Sequence, residues 1–399
     1  MWLADSCDWA RWKSASNSDL RIDQKQEVTA ISAMTAASIE NQRRTRVTIC
    51  WTGISGYLAA GWRALQAIPE LDVTYCVQLG SRGFDRSTLQ CLRNFHAIDG
   101  ARQLDINGEV DLICSTNPDV LVVSGWNCPA HRRAVRDRRL AGAASIMAMD
   151  TPWIGGPKQL LATVALRRYV RRMSLVVTAC ERSRRYAERL GVDASRIKLG
   201  TYCADVPSFA RAAELRDSRG SWPRRFLFAG RLIHQKGVDV LVGAYSRYRE
   251  AVEQPWPLTI CGKGPLKSLV AGRPGISHVG FVQPSDLPEM FSQHGAFVLP
   301  SRHEPWGVVI AEAAASGMPV LCSDRCGAGL DLVRDCSNGL VFAADDPEAL
   351  SKALLHVHRH ESMLAEYGAV SRELVAPYAP GHWAQRWAGY CTSLAKDPR

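Results

Sequence analysis

The 399-residue sequence has no stretch of about 18 apolar residues free of charge, so it offers no candidate for a membrane-spanning helix. It also lacks the cysteine spacing of a disulfide framework. The thirteen cysteines are scattered and odd in number, which points to a reducing compartment. The closest group, Cys322, Cys326 and Cys336, has no histidine nearby and reads as small apolar side chains rather than as zinc ligands. The opening residues carry acids and no continuous hydrophobic segment, so no secretory signal is expected and the expected location is cytoplasmic. The basic residues are not interleaved with aromatics, which makes nucleic acid an unexpected partner.

What is present describes a folded protein. Apolar residues make up 46% and charged residues 22%, and the length exceeds what one ordinary core accommodates, so two domains are expected. Net charge is +10, and residues 131–198 alone carry sixteen Lys or Arg against five acids. Pairs such as Arg132-Arg133, Arg167-Arg168, Arg171-Arg172 and Arg184-Arg185 fall in segments expected to be helical. Such a region would be drawn to anionic lipid head groups or to an acidic acceptor. A solvated basic face with no partner fits the composition equally well.

Residues 1–44 are polar, rich in alanine and serine and weakly periodic, and read as a loosely ordered extension. From Arg46 onward, short apolar runs alternate with amphipathic stretches, as in a parallel sheet covered by helices. Strands are expected at 47–51, 73–79, 119–123, 145–149 and 175–178, with a helix at 57–67. Residues 211–225 are charged, contain Gly and Pro and show no buried face, which marks a boundary. The alternation restarts with strands at 226–229, 258–261, 296–299 and 319–321 and helices at 237–249 and 308–316. The resulting division is an N-terminal acceptor-side domain at 45–205, a linker at 206–224, a donor-binding domain at 225–376 and a C-terminal helix at 377–399. On that helix Trp383, Trp387 and Tyr390 sit at helical spacing as a packing stripe. The fold class expected is α/β, two Rossmann-like doubly wound domains facing across a cleft where ligands of such sheets bind.

Two segments carry chemistry. In the first, a buried strand ends at Pro300, a turn holds Glu304, and a helix beginning near Gly307 contains Glu312. If fully helical, the eight residues between the acids would span about 12 Å. That is comparable to the reach from a sugar ring across a diphosphate to a ribose. A helix N-cap plus a surface acid explains the spacing equally well. In the second segment, Gly230-Arg231 and Lys236-Gly237 follow one strand and precede a helix, placing two cations at the strand's carboxyl end. Gly230 permits close backbone approach, and Arg231 and Lys236 would neutralise a leaving diphosphate, with ordinary loop charges as the other reading. Gly262-Lys263-Gly264 is a further glycine-bearing loop after the next strand.

The combination of GRLIHQKG with EPWGVVIAE resembles the retaining glycosyltransferases of family 4, which have the GT-B fold of two facing Rossmann-like domains. The resemblance runs from Phe226 to about Phe342, through GKGP, HVGFVQPSDLPEMF, FVLPSRHEPWGVVIAEAAASGMPVL and NGLVF. It is looser before that and absent from the first forty-odd residues. It implies that Arg231 and Lys236 bind diphosphate, that Glu304 contacts the donor sugar and that Glu312 holds the ribose hydroxyls. It further implies that the backbone at Trp306, Gly307 and Val308 meets phosphate and sugar oxygens, and that Phe281 and Val282 lie beside the base. Gly53 and Gly56 occupy the place of the family's glycine-rich loop after the first strand. Their spacing is not G-x-G-x-x-G, so nicotinamide binding gains no support.

Where many family members carry a histidine after the fourth strand, this chain reads Val123-Ser124-Gly125-Trp126-Asn127. His131 lies further on, at an expected helix start. Asp150, after the strand at 145–149, is the better candidate for an acceptor-side polar group, with a turn or helix cap as the other reading. The implied activity is retaining transfer of a sugar from a nucleotide-diphosphate sugar, which is substrate rather than cofactor, to a saccharide or lipid-linked saccharide. No metal is expected, since no D-x-D pair stands in a suitable site. A sugar-nucleotide epimerase, a disaccharide phosphorylase and a catalytically idle membrane-associated protein of the same fold stay open on the residues.

Overall fold

A computed structural model describes residues 43–79, 91–98 and 104–397; the expected extension therefore lies almost wholly outside the described residues. In the first half the strands are β1 (Thr45–Thr52), β2 (Leu71–Gln78), β3 (Phe95–Ile98), β4 (Val120–Ser124), β5 (Ala144–Met149), β6 (Leu175–Thr178) and β7 (Ile197–Leu199). Its helices are α1 (Gly56–Gln66), α2 (Ile106–Ser115), α3 (Pro129–Ala134), α4 (Pro157–Ala165), α5 (Arg167–Val170) and α6 (Glu181–Arg189). The second half opens with α7 (Val206–Asp217). Its strands are β8 (Phe226–Ala229), β9 (Leu258–Cys261), β10 (Ile276–Gly280), β11 (Ala296–Leu299), β12 (Val320–Ser323) and β13 (Gly339–Phe342). Between and after them come α8 (Val238–Glu250), α9 (Lys267–Val270), α10 (Leu287–Ser292), α11 (Val308–Ala315), α12 (Gly327–Leu332), α13 (Pro347–Arg359), α14 (Leu364–Val375) and α15 (Pro380–Lys396).

All strand pairs are parallel, in two sheets ordered β3-β2-β1-β4-β5-β6-β7 and β10-β9-β8-β11-β12-β13. Each sheet reverses its strand order once, between β1 and β4 and between β8 and β11. At such a switch point the loops leaving the strands' carboxyl ends diverge and open a crevice. Helices cover both faces, so central strands are buried on both sides: β8 and β11 are buried at every residue. In β1 the two-residue period sends Val47 and Ile49 into one core layer and Cys50 into the other. The C-terminal α15 returns to the first half, where Trp383, Trp387 and Cys391 pack into the layer containing Trp62 of α1. The Trp383 and Trp387 indoles donate to the carbonyls of Thr201 and Gly200.

The segment expected to be a linker without a buried face contains a packed helix. In α7, Phe209, Ala212, Ala213 and Arg216 are buried. Arg216 donates to the carbonyls of Phe291 in the last turn of α10 and His294 just after it, and to those of Ser316 and Gly317 beyond α11. One guanidinium thus satisfies orphan carbonyls at two helix ends. Burial lowers its pKa to about 10. An arginine facing inward looks polar in sequence, which hid this face.

Candidate functional site

The loop leaving β8 and the loop leaving β11 meet across the second switch point. Lys236, in a 3-10 turn at His234–Lys236, donates through Nζ to Glu304 Oε2, 68 residues away. Both side chains are mostly buried. Gly237, which ends that turn at φ +65°, sits so near Pro300 that a Cβ would lie 2.1 Å from its carbonyl oxygen; no other residue lets these loops close. A second close approach joins the neighbouring loops, where a Cβ on Gly262 would fall 1.8 Å from the Gly230 carbonyl oxygen. Backbone hydrogen bonds Gly230–Cys261, Leu232–Lys263 and Gly262–Gly280 complete the seam. The glycine-bearing loops after β8 and β9, with Gly230, Gly262 and Gly264, are therefore one surface.

Arg231 is exposed on that surface, and its side chain makes no hydrogen bond or ion pair among the described residues. Phe281, 51% exposed, follows β10 at the rim with Lys263 Nζ 5.7 Å from its ring centre, while Val282 packs partly into the core. Glu304 is not the cap of α11; that position belongs to Gly307, and the helix starts at Val308. Trp306 is buried. Glu312, in the second turn of α11, is not a surface acid either. It is half-buried, and its carboxyl makes no hydrogen bond among the described residues. Burial, reinforced by the charge of Asp205, raises its pKa to about 7.

The two halves meet beside these groups. Asp150, after β5, accepts a 2.7 Å hydrogen bond from the Tyr202 hydroxyl and caps no helix. The Tyr202 ring lies edge-on to Tyr57 of α1, at 5.6 Å, and 5.8 Å from Trp306. Burial pushes the Tyr57 phenol up to about 12, with the carboxylates of Asp150 and Glu312 adding to the effect. A Cβ on Gly56 would come 3.6 Å from Pro284 Cβ of the second half, and the Gly53 backbone donates to the Gln78 carbonyl. Tyr202 escaped sequence reading because it stands between elements with no motif around it. Two surface hollows, of about 780 and 550 Å³, lie elsewhere, the first beside Trp222 and His358 and the second beside the arginines of α5.

Among the described residues one group of potential metal ligands comes together, Glu109, Cys128 and His131, all buried under α2 and α3. His131 Nε2 is 3.3 Å from Glu109 Oε1, an ion-pair distance without hydrogen-bond alignment. Gln78 Nε2 donates to Glu109 and to Cys128 Sγ. Burial lowers the His131 pKa, but Cys128 and Glu109 outweigh it and lift it to about 9. The cluster is a buried ion pair, and His131 is no part of the basic surface expected at 131–198.

Residues 216–373 match the family model described as glycosyl transferases group 1. The phosphatidyl-myo-inositol mannosyltransferase of Mycobacterium leprae is 31% identical over 200 residues, 48% of this chain and 51% of that protein. The alpha-D-kanosaminyltransferase of Streptomyces kanamyceticus is 30% identical over 195 residues, 45% and 50% of the two chains. The chain thus spans about half the length of these curated relatives. Among solved structures, HepE of Anabaena in complex with UDP and glucose superposes with a TM-score of 0.68 at 17% identity, covering 87% of this chain and all of that one. The sucrose-phosphate synthase of Thermosynechococcus elongatus gives 0.70 at 16%, covering 88% and 99%. Two parallel sheets with one switch point each and the architecture shared with these neighbours give the chain the GT-B fold, and residues 216–373, which include the whole second sheet, are similar to the group 1 glycosyltransferases.

Proposed function

We propose that the chain transfers a sugar from a nucleotide-diphosphate sugar to a hydroxyl acceptor with retention of anomeric configuration. The observation that carries this is the Lys236–Glu304 pair lying across the β8/β11 switch point, with Arg231 and Glu312, whose side chains have no partner among the described residues, on the same loops and helix. Without ligand, Lys236 and Glu304 neutralise each other. A diphosphate arriving at the glycine loops takes Lys236 as its counter-charge, together with Arg231, and frees Glu304 to accept from sugar hydroxyls. Glu312 accepts from the ribose, the amides around Gly307 and Val308 face phosphate oxygens at the start of α11, and Phe281 and Val282 flank the base.

In the proposed step the acceptor oxygen attacks the anomeric carbon on the face from which the diphosphate departs. The bond from that carbon to the phosphate oxygen breaks, and the acceptor proton passes to an oxygen of the leaving diphosphate. Arg231 and Lys236 stabilise the charge that develops there. Asp150, held by Tyr202, and the Gly53–Gly56 loop stand on the acceptor side. This route assigns no role to a metal ion. The acceptor we assign is a saccharide or lipid-linked saccharide at a cytoplasmic membrane face. The association of a neighbour of this fold with UDP and glucose supports a nucleotide-sugar donor. A panel of nucleotide sugars tested for thermal stabilisation of the purified chain is the direct experiment. Stabilisation by at least one, lost in Lys236→Ala, is expected; no stabilisation by any would sink the reading.

A further inference from the structure

The basic excess of residues 131–198 is not spread evenly once the fold is formed. Arg139 pairs with Asp111 and Asp137, Arg184 and Arg185 pair along α6 with Glu181 and Glu188, and Arg196 is held by the carbonyls of Arg171 and Met173. Arg167, Arg168, Arg171 and Arg172 are exposed and have no acidic partner among the described residues, and residues 151–180 contain no Asp or Glu at all. With Val164 they frame the hollow of about 550 Å³, which has the size and sign to receive a phosphate head group.

Beside this cluster stands an apolar face that none of the described residues covers. α4 buries none of its residues; Leu160, Leu161 and Val164 are 56%, 74% and 80% exposed, and Ile154 just before the helix is 65% exposed. At about 100° per residue Leu160, Val164 and Leu161 fall within an arc of about 100° on one side of the helix. Gln159, one residue earlier, instead ties the helix start to the segment before it through the amides of Ile154 and Gly155 and the carbonyl of Pro152. Large aliphatic side chains held outward on an ordered helix, with a rim of unpaired arginines, match the interface of an anionic bilayer: acyl chains take the aliphatic face and phosphates the guanidinium groups. A second copy of the chain is a poor occupant, because a two-fold contact through this face would set one arginine cluster against another.

We infer that α4, with Ile154 and the arginines of the following turns, docks the protein on an anionic lipid surface. Ile154 lies four residues after Asp150, so by chain length the patch begins within about 14 Å of the acceptor-side carboxylate. Docking there brings the acceptor side of the crevice to the membrane. The inference extends the lipid-linked reading of the acceptor but rests on the surface alone.

The experiment is co-sedimentation of the full chain with vesicles of phosphatidylcholine alone and with about one third phosphatidylglycerol. Binding to the anionic vesicles only, weakened by salt as screening requires, is expected. Leu161→Glu/Val164→Glu should reduce the partition coefficient about tenfold or more, since both side chains would leave the acyl region. Arg171→Gln/Arg172→Gln should reduce it too. Both pairs are exposed, so melting temperature and nucleotide-sugar binding should stay unchanged, which separates this outcome from failure of the donor assignment. A wild-type chain that remains in the supernatant overturns the inference. So does binding that survives in Leu161→Glu/Val164→Glu, which would leave only head-group attraction, and so does a patch that the same variant shows to be a dimer contact.

Discussion

Glu312 gives the sharpest test of the site. Moving its pKa from 4.5 to about 7 means that ionising it inside the unliganded fold costs roughly 3 kcal/mol more than in water. Hydrogen bonds from two ribose hydroxyls to a carboxylate, at about 1.5–3 kcal/mol each, are enough to offset that cost. Binding of the donor should therefore pull a proton off Glu312. A nucleotide sugar is the right probe, because its diphosphate is doubly esterified and does not titrate in this range. With a free-state pKa near 7 and a bound-state value near the ordinary one, affinity should fall about tenfold from pH 8 to pH 6. Calorimetry in buffers of different ionisation heat should show release of about half a proton at pH 7. Glu312→Gln should bind more weakly and without this pH dependence. The same group affects folding with a definite sign. Below pH 4.5 it is neutral in both states; between 4.5 and 7 only the unfolded chain ionises, so stability falls; above 7 the deficit is complete. The Gln variant should therefore gain up to about 3 kcal/mol of stability at pH 8 and little at pH 4. A wild-type affinity that is flat from pH 6 to 8, or a Gln variant that keeps the slope, would refute the assignment.

Lys236→Ala should lower turnover about 100-fold, from the roughly 3 kcal/mol of one electrostatic donor, as read by product formation with a saturating nucleotide sugar; unchanged turnover removes its role. His131 is held protonated to about 9 in the fold, so its contribution is complete below pH 6.5 and lost as pH rises through 9. His131→Ala should cost about 3–5 kcal/mol in denaturant titrations at pH 6, because Glu109 is left charged and buried, with a smaller cost above pH 9. Arg216→Ala should cost at least about 3 kcal/mol, since four carbonyls lose their donor, with Arg216→Lys recovering only part. A loss under 1 kcal/mol would show that water replaces it.

Nine strands could be read directly from apolar runs, and the four that could not, β3, β7, β10 and β13, are the edges of the two sheets. A central strand is buried on both faces and must be continuously apolar. An edge strand such as β10 alternates half-buried and exposed residues, and its pattern, Ile-Ser-His-Val-Gly, does not stand out from a loop. The same limit applied to Arg216, whose burial depends on carbonyls that gather only after α10 and α11 have packed.

By itself the sequence determined the local chemistry: which loops follow strands, where glycine permits close approach, and which cations and carboxylates those loops carry. These depend on neighbours along the chain. Only the tertiary structure decided that Lys236 and Glu304 form one pair, that Asp150 is held by Tyr202, and that four exposed arginines without an acidic partner among the described residues stand beside an exposed apolar helix face. Ion pairing and burial are set by groups distant in sequence, and strand order alone brings those groups together.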